Sequence, residues 1–345
     1  MDKYLHYIKY SIKLSIAYTL FYSGILFLIK NVKFKNKHIV VTYHRILPEE
    51  LKSTSFSNDG IIVRPESFSK QLDFLSKHFN VTNIDAFYSA LLNKTISEKN
   101  NCLITFDDGW IDNYLYAFPL LKKHKLPATI FIPTGYIEKN ELFWQEKLSR
   151  SISILLKNTS PEAKNLITQY NLDALLNHHG NTLRSLIINH VNELKSHPYE
   201  EVDEMYNSIS LLTGNIHSEE NIDRYMNWSQ VKELSNNNIN FESHAHSHKI
   251  LTRLDLDEAA FELESSLKTI SERVDHKVKY IAYPNGNSNS EIQKLAKNTG
   301  YLLGFGTKPG TTSSDDNYFD IKRINIHENK SSNVPLFFMS LLGIF

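Results

Sequence analysis

Residues 101–109 read Asn101-Cys102-Leu103-Ile104-Thr105-Phe106-Asp107-Asp108-Gly109, an apolar run followed at once by two carboxylates and a glycine. The run has the length of a buried strand, and Asp-Asp-Gly is ordinary turn chemistry at a strand end. Adjacent carboxylates repel each other, which raises the pKa of one of them unless a cation neutralises the pair. Two readings follow: a plain turn, or a strand-end site in which Asp108 ligates a metal and Asp107 is a general base. Position supports the second, because barrel active sites lie at the C-terminal ends of strands.

Outward from this stretch, strands and helices alternate. His38–Tyr43 (HIVVTY) is a β-branched run ending at His44. Pro65–Phe79 carries Phe68, Leu72 and Leu75 at helical spacing, with Pro65 suited to the first turn. Leu115–His124 reads as a helix, Ala128–Ile132 as a strand, Phe241 as a strand end, Leu256–Val274 as a helix, Val278–Tyr283 as a strand and Glu291–Thr299 as a helix. Such alternation with short turns predicts an α/β fold, βα units around a parallel sheet or barrel. Residues 145–225 break the pattern; they are polar, rich in Asn and Ser, helical where periodic (Leu183–Leu194), and read as an inserted helical cap. The expected organisation is an apolar N-terminal segment (1–37), barrel (38–144), cap (145–225), barrel (226–328) and an apolar C-terminal segment (329–345).

With 345 residues, of which 41% are hydrophobic, the chain can bury a large core, and disorder is excluded as a class. Thirty-eight basic residues balance 38 acidic ones, so no net positive field draws it to nucleic acid. Its single cysteine, Cys102, excludes intramolecular disulfides and Cys-based metal centres. Any metal must be held by His, Asp or Glu.

Both ends are apolar. Leu14–Ile29 is flanked by Lys9 and Lys13 and by Lys30, Lys33, Lys35 and Lys37, and no small-residue cleavage site follows. It is short for a spanning helix, and three readings stay open: an interfacial helix giving peripheral membrane contact through residues 14–29, a short signal anchor, or a helix packed on the body. A cytoplasmic or membrane-associated location is expected, with the cell envelope through an uncleaved anchor as the alternative. Val334–Phe345 reads as a last helix closing the core or as a second docking segment.

The second chemical constellation is Ser243-His244-Ala245-His246-Ser247-His248. His244 and His248 are four apart, so a helical turn or compact loop can aim both imidazoles at one ion while His246 points elsewhere. Two imidazoles and one carboxylate suit Zn²⁺, and also non-haem Fe(II); the extra carboxylate, Asp107, favours hydrolysis over oxygenation. The chain has no nucleophile elbow, P-loop, H-E-x-x-H or complete G-x-G-x-x-G motif.

TFDDG at 105–109 followed by SHAHSH at 243–248 resembles the first two motifs of the polysaccharide deacetylases, carbohydrate esterase family four. Tyr43-His44-Arg45, Pro127–Ile132, Phe143-Trp144, Met226-Asn227-Trp228 and Ala282-Tyr283-Pro284-Asn285-Gly286 extend the similarity from His38 to His327, apart from the cap. The resemblance implies a distorted (β/α)7 barrel and metal-dependent removal of N- or O-acetyl groups from an acetylated glycan or polysaccharide. It implies that Asp107 is the base and that Asp108, His244 and His248 hold one divalent metal, with Zn²⁺ favoured over Co²⁺, Ni²⁺ or Mn²⁺. It also implies that Tyr283 and Pro284 line the substrate groove, where Trp110, just after the Asp-Asp-Gly turn, could stack on a sugar face.

Compact members place a base-orienting arginine where this chain has Ala282, and Arg323 is the candidate replacement. The Tyr-His strand resembles the circularly permuted exopolysaccharide-type members, which makes His44 the expected general acid and His327 its rival. The alternatives in function are a catalytically impaired carbohydrate-binding member of the same fold and a hydrolase of another amide.

Overall fold

Apolar runs of five or six residues bounded by turns become strands wherever both faces can be covered, and in the computed structural model of this chain they form one parallel sheet. The structure describes residues 2–95, 98–217 and 222–344, with side chains from residue 8 onward. The strands of this sheet are β1 (Ile39–Tyr43), β2 (Asn80–Thr82), β3 (Asn101–Phe106), β4 (Ala128–Ile132), β5 (Ile239–Ser243), β6 (Tyr280–Ala282), β7 (Leu303–Phe305) and β8 (Ile324–Asn325), while Arg45–Ile46 and Ile62–Val63 pair separately. The path runs β8-β1-β3-β4-β5-β6-β7, and β2 pairs with β3 off the path. Every pairing is parallel.

Ile321 bridges to Phe305 and, three residues on, Ile324 pairs with Val41, so the segment 321–325 lies between the two edges of the curl. Seven strands on the path make the distorted (β/α) barrel expected from the sequence. Its interior packs Val40, Leu103, Phe131, Ala282 and Phe305 against Ile84, Phe87 and Leu91.

Helices form as the periodicity predicts. Pro65–His78 has Pro65 at its start and buries Phe68, Leu72 and Leu75. Leu256–Arg273 is capped by the Asp255 side chain, which accepts from the Glu258 amide at 2.8 Å. The expected helix 115–124 begins instead as a π-helical stretch, Asn113–Ala117, and becomes α-helical only at Phe118–His124, because Pro119 cannot donate to an upstream carbonyl.

The chain divides into two compact units: Met1–Leu47, Asp59–Glu138 and Tyr225–Phe345 in the first, Pro48–Asn58 and Lys139–Arg224 in the second. The second unit therefore begins earlier than residue 145 and takes in a loop with no helical periodicity. Inside it, helices Trp144–Leu155, Pro161–Gln169, Gly180–Glu193 and Tyr199–Thr213 bury Leu148, Ile152, Ile187, Val191, Met205 and Ile209. Buried Asp223 ties in the loop by accepting from Ser55 Oγ at 2.6 Å and from the Phe56 amide at 3.0 Å.

The apolar N-terminal stretch is two helices, α1 (Asp2–Tyr22) and α2 (Ile25–Lys33), broken at Gly24, whose φ of 78° is left-handed. Among the described residues no single helix is long and apolar enough to cross a membrane; Ile8–Tyr22 and Ile25–Lys33 reach that only jointly, across an 80° bend. The C-terminal helix Val334–Leu341 is largely buried, and its Phe338 ring lies 4.9 Å from Phe27 and 4.9 Å from Phe74.

Beneath the end of β3, the Phe68 ring sits edge-on to Tyr43 at 5.0 Å and to Phe106 at 5.8 Å. Phe68→Ala is expected to lower unfolding free energy by about 3–5 kcal/mol, measured by chemical denaturation; a loss below about 1 kcal/mol would show that this cluster does not support the strand end.

Candidate active site

Parallel register brings the ends of the strands to one rim. Tyr43 pairs with Phe106 and Ser243 with Ile281, so His44, Asp107, His244 and Ala282 each leave a strand at the same end of the barrel. The Asp107 amide donates to the Tyr43 carbonyl at 3.1 Å, and the His244 amide to Ile132 at 3.0 Å. The backbone then turns sharply: Asp108 (φ 75°) and Gly109 (φ 70°) are left-handed, and so are Ala245 and His248. A Cβ at Gly109 would lie 2.8 Å from Ile132 Cγ2, so this position requires glycine. Left-handed backbone at non-glycine residues costs of order 1 kcal/mol each and clusters where chemistry demands it.

Asp108, His244 and His248 converge, with one ligand atom from each lying within 4.8 Å of the others. Asp108 Oδ1 is 3.4 Å from His244 Nε2 and 3.3 Å from His248 Nε2. His244 Nδ1 is 2.7 Å from the Ala282 carbonyl, which can only accept, so the ring proton sits on Nδ1. A neutral His244 then aims its lone pair at a carboxylate oxygen, an arrangement that needs a proton or a cation between them. Burial lowers the His244 pKa, but Asp108 and Asp107 more than reverse this and leave it above the usual histidine range. Burial raises the Asp108 pKa, and His244 and His248 bring it well below the carboxylate range. A buried carboxylate and two imidazoles whose ligand atoms lie this close are chemically suited to a divalent cation. His246 lies apart from this cluster, its Nδ1 2.9 Å from Thr134 Oγ1.

Asp107 faces a different partner. Arg323 Nη1 and Nη2 donate to its two oxygens at 2.8 and 2.7 Å, and Arg323 Nε donates to the Gly306 carbonyl at 2.7 Å. Burial pushes the Asp107 pKa up, yet Arg323, His244 and His44 together hold it below the carboxylate range. His44 Nε2 stands 3.8 Å from Asp107 Oδ2, and its buried Nδ1 has no hydrogen-bond partner. Burial lowers the pKa of His44 against the pull of Asp108 and Asp107. His327 is lowered by burial and by Lys330 and Lys13, the cations within its electrostatic reach, rather than by the groups at this site.

The residues expected to touch sugar are placed otherwise. Trp110 is completely buried, stacked on Tyr225 at 4.8 Å with the Arg45 guanidinium 4.2 Å from its ring, so it presents no face to a substrate. Its indole N–H donates to Asp108 Oδ2 at 2.9 Å, which leaves Oδ1 for the two imidazoles. Tyr283 and Pro284 are buried too, because the first closes over Gly304 inside the barrel and the second starts a tight turn.

Sequence reasoning missed two supports. Asp112 accepts from Arg45 Nε at 2.9 Å and from the Ile46 amide at 2.7 Å, anchoring the cation that lies over Trp110. Glu262 accepts from the amides of His246 and Ser247 at 2.8 and 2.7 Å and from Ser247 Oγ, clamping the loop that carries both histidines. A signal for Glu262 was present: it is an acid on the buried face of its helix, beside Ala259, Leu263 and Ser266.

Trp110→Phe keeps the ring contacts and removes the donor, so Zn²⁺ affinity measured by calorimetry is expected to fall roughly tenfold with little change in fold. Because a cation binds the unprotonated Nε2 atoms of His244 and His248, Zn²⁺ uptake is also expected to strengthen from mildly acidic to mildly alkaline buffer.

The family model described as polysaccharide deacetylase matches residues 94–304. The putative polysaccharide deacetylase YxkH of Bacillus subtilis is 24% identical over 288 residues, covering 83% of this chain and 74% of that protein. The poly-beta-1,6-N-acetyl-D-glucosamine N-deacetylase of Staphylococcus aureus is 28% identical over 137 residues, a match spanning 35% of this chain and 44% of that enzyme. Among solved structures, the deacetylase PplD of Streptococcus pyogenes aligns with a TM-score of 0.57 at 22% identity, over 86% of this chain and 94% of that one. IcaB from Ammonifex degensii aligns with a TM-score of 0.55 at 17% identity, over 88% and 97%. These two share the barrel fold. With more than half of its length matched to the family model and both signature turns at one rim, the chain belongs to the polysaccharide deacetylase family, hydrolases of carbon–nitrogen bonds other than peptide bonds.

Proposed function

We propose that this protein is a metal-dependent deacetylase that removes N-acetyl groups from a polysaccharide or related glycan. The observation that carries this reading is the division of labour between two adjacent carboxylates: Asp107 is gripped at both oxygens by Arg323, while Asp108 faces two imidazoles. Asp108, His244 and His248 would hold the cation, with Zn²⁺ favoured by one carboxylate and two imidazole ligands. When bound there, a divalent cation supplies Lewis acidity, polarising an acyl oxygen and making water a stronger acid.

The chain's own residues supply the proton transfers. Asp107, held ionised and oriented by Arg323, accepts the proton of the attacking water. His44, across from it, donates to the departing nitrogen, or to oxygen if the ester is the substrate. Arg323 is a positioning residue, since its Nε, Nη1 and Nη2 donate to Asp107 and to the Gly306 carbonyl. It answers the concern that Ala282 stands where other members have arginine, and this favours an active enzyme over an impaired binder. The named activity of the Staphylococcus aureus relative supports N-acetylglucosamine polymers as first substrates.

The test is acetate and free-amine release from β-1,6-linked and β-1,4-linked N-acetylglucosamine oligomers and from an O-acetylated glycan. Zn²⁺-loaded protein is expected to release both products from an N-acetylated oligomer, to lose activity on chelation and to regain it with added Zn²⁺; metal retention without any acetate release overturns the reading. Asp107→Asn should reduce turnover by at least about a hundredfold with metal content unchanged. Removing the Arg323 charge with Arg323→Met takes away the largest influence opposing burial and raises the Asp107 pKa. Since the base must be ionised, the acidic limb of the pH–rate profile should move upward, whereas Arg323→Lys should shift it less.

A further inference from the structure

Residues 3–48 contain seven lysines and Arg45 but neither Asp nor Glu, although the whole chain balances 38 basic against 38 acidic residues. The positive charge is concentrated where α1 and α2 lie, and the remainder of the chain is net acidic.

Each of these helices has two apolar sides. On the inner side Ala17 and Leu26 are fully buried, and the Phe21 and Phe27 rings lie 6.3 and 4.9 Å from Phe338 of the C-terminal helix. On the outer side Ile8, Ile12 and Ile16 recur every four residues along α1, and Ile25, Leu28 and Val32 form one stripe along α2. These side chains stand in solvent: Tyr22 is 77% exposed, Leu28 67% and Val32 81%. Soluble surfaces seldom leave such a contiguous stripe uncovered. Lysines border it. Lys35 and Lys37 are exposed just past α2, while Lys33 reaches back to the Leu342 carbonyl and Lys30 lies 5.2 Å from the Phe79 ring.

We infer that the outer face of α1 and α2 is a docking surface for an anionic phospholipid bilayer, lying in the interface with its lysines at the headgroups. Apolar side chains rimmed by lysine without acid match that solvent: acyl chains take the stripe and phosphates take the ammonium groups. A second copy of the chain fits less well, because a self-complementary contact would set like charges against each other. Spanning the bilayer fits less well too. The Phe21 and Phe27 contacts hold both helices, bent by 80°, against the C-terminal helix, and straightening the pair would strip those contacts.

The experiment uses the full chain and vesicles of phosphatidylcholine alone or mixed equally with phosphatidylglycerol. Flotation should recover protein with the mixed vesicles and not with the neutral ones, and high salt should weaken binding. Leu28→Glu with Val32→Glu, and separately Lys35→Glu with Lys37→Glu, should each weaken binding about tenfold or more while the circular dichroism spectrum and acetate release from a soluble oligomer stay unchanged. Three results would overturn the inference: equal binding to both vesicle types, binding insensitive to both double variants, or a self-associated protein that ignores vesicles and that Leu28→Glu with Val32→Glu dissociates. Resistance to alkaline carbonate extraction with one terminus shielded from protease would overturn it in favour of a spanning segment.

Discussion

The grip of Arg323 on Asp107 is the interaction on which the rest of the site depends. Its guanidinium bonds both carboxylate oxygens and the Gly306 carbonyl, and the residue belongs to the segment that joins β7 to β1. Closing the curl of the sheet and pairing the Asp107 carboxylate are therefore one structural event. A buried ion pair of this kind is weak ground for stability, since removing both ions from water costs nearly what their attraction returns. Its value lies in specification: a buried carboxylate stays ionised at a chosen place because a matched fork of donors is already there.

Around that pair, two neighbouring carboxylates are kept in different states by different surroundings. Asp107 sees a permanent cation, whereas Asp108 sees two imidazoles. The left-handed turn at Asp108 and Gly109 sends the two side chains in separate directions, and the Trp110 donor then assigns the oxygens of Asp108. Behind the ligands stand neutral and charged supports, with the Ala282 carbonyl setting the His244 tautomer and Glu262 clamping the loop amides. Such supports set the geometry with which the first three residues can act.

Strand β3 was legible residue by residue, and so was the alternation of strands with helices, because a strand buried on both faces is a continuous apolar run and an amphipathic helix repeats its pattern locally. The helix break at Gly24 and the π-helical start at Asn113 turn on single residues, Gly24 and Pro119, that periodicity does not weigh, because an apolar repeat runs on through either one. Trp110 illustrates the limit most clearly. A tryptophan beside a catalytic turn suggests a sugar platform, but Tyr225 and Arg45, distant in sequence, cover both of its faces.

By itself the sequence determined the ligand chemistry: one cysteine excludes thiolate centres, and Asp108, His244 and His248 are the residue types a hydrolytic cation needs. It also determined the strands that carry them. Only the tertiary structure decided that Arg323, 216 positions beyond Asp107, meets both of its oxygens, that His44 stands 3.8 Å from Asp107, and that Trp110 is buried with its N–H on Asp108. The physical reason is range. Strand and helix patterns arise from neighbours along the chain, whereas the partner of a buried charge is whichever group the closing of the barrel brings within hydrogen-bonding distance.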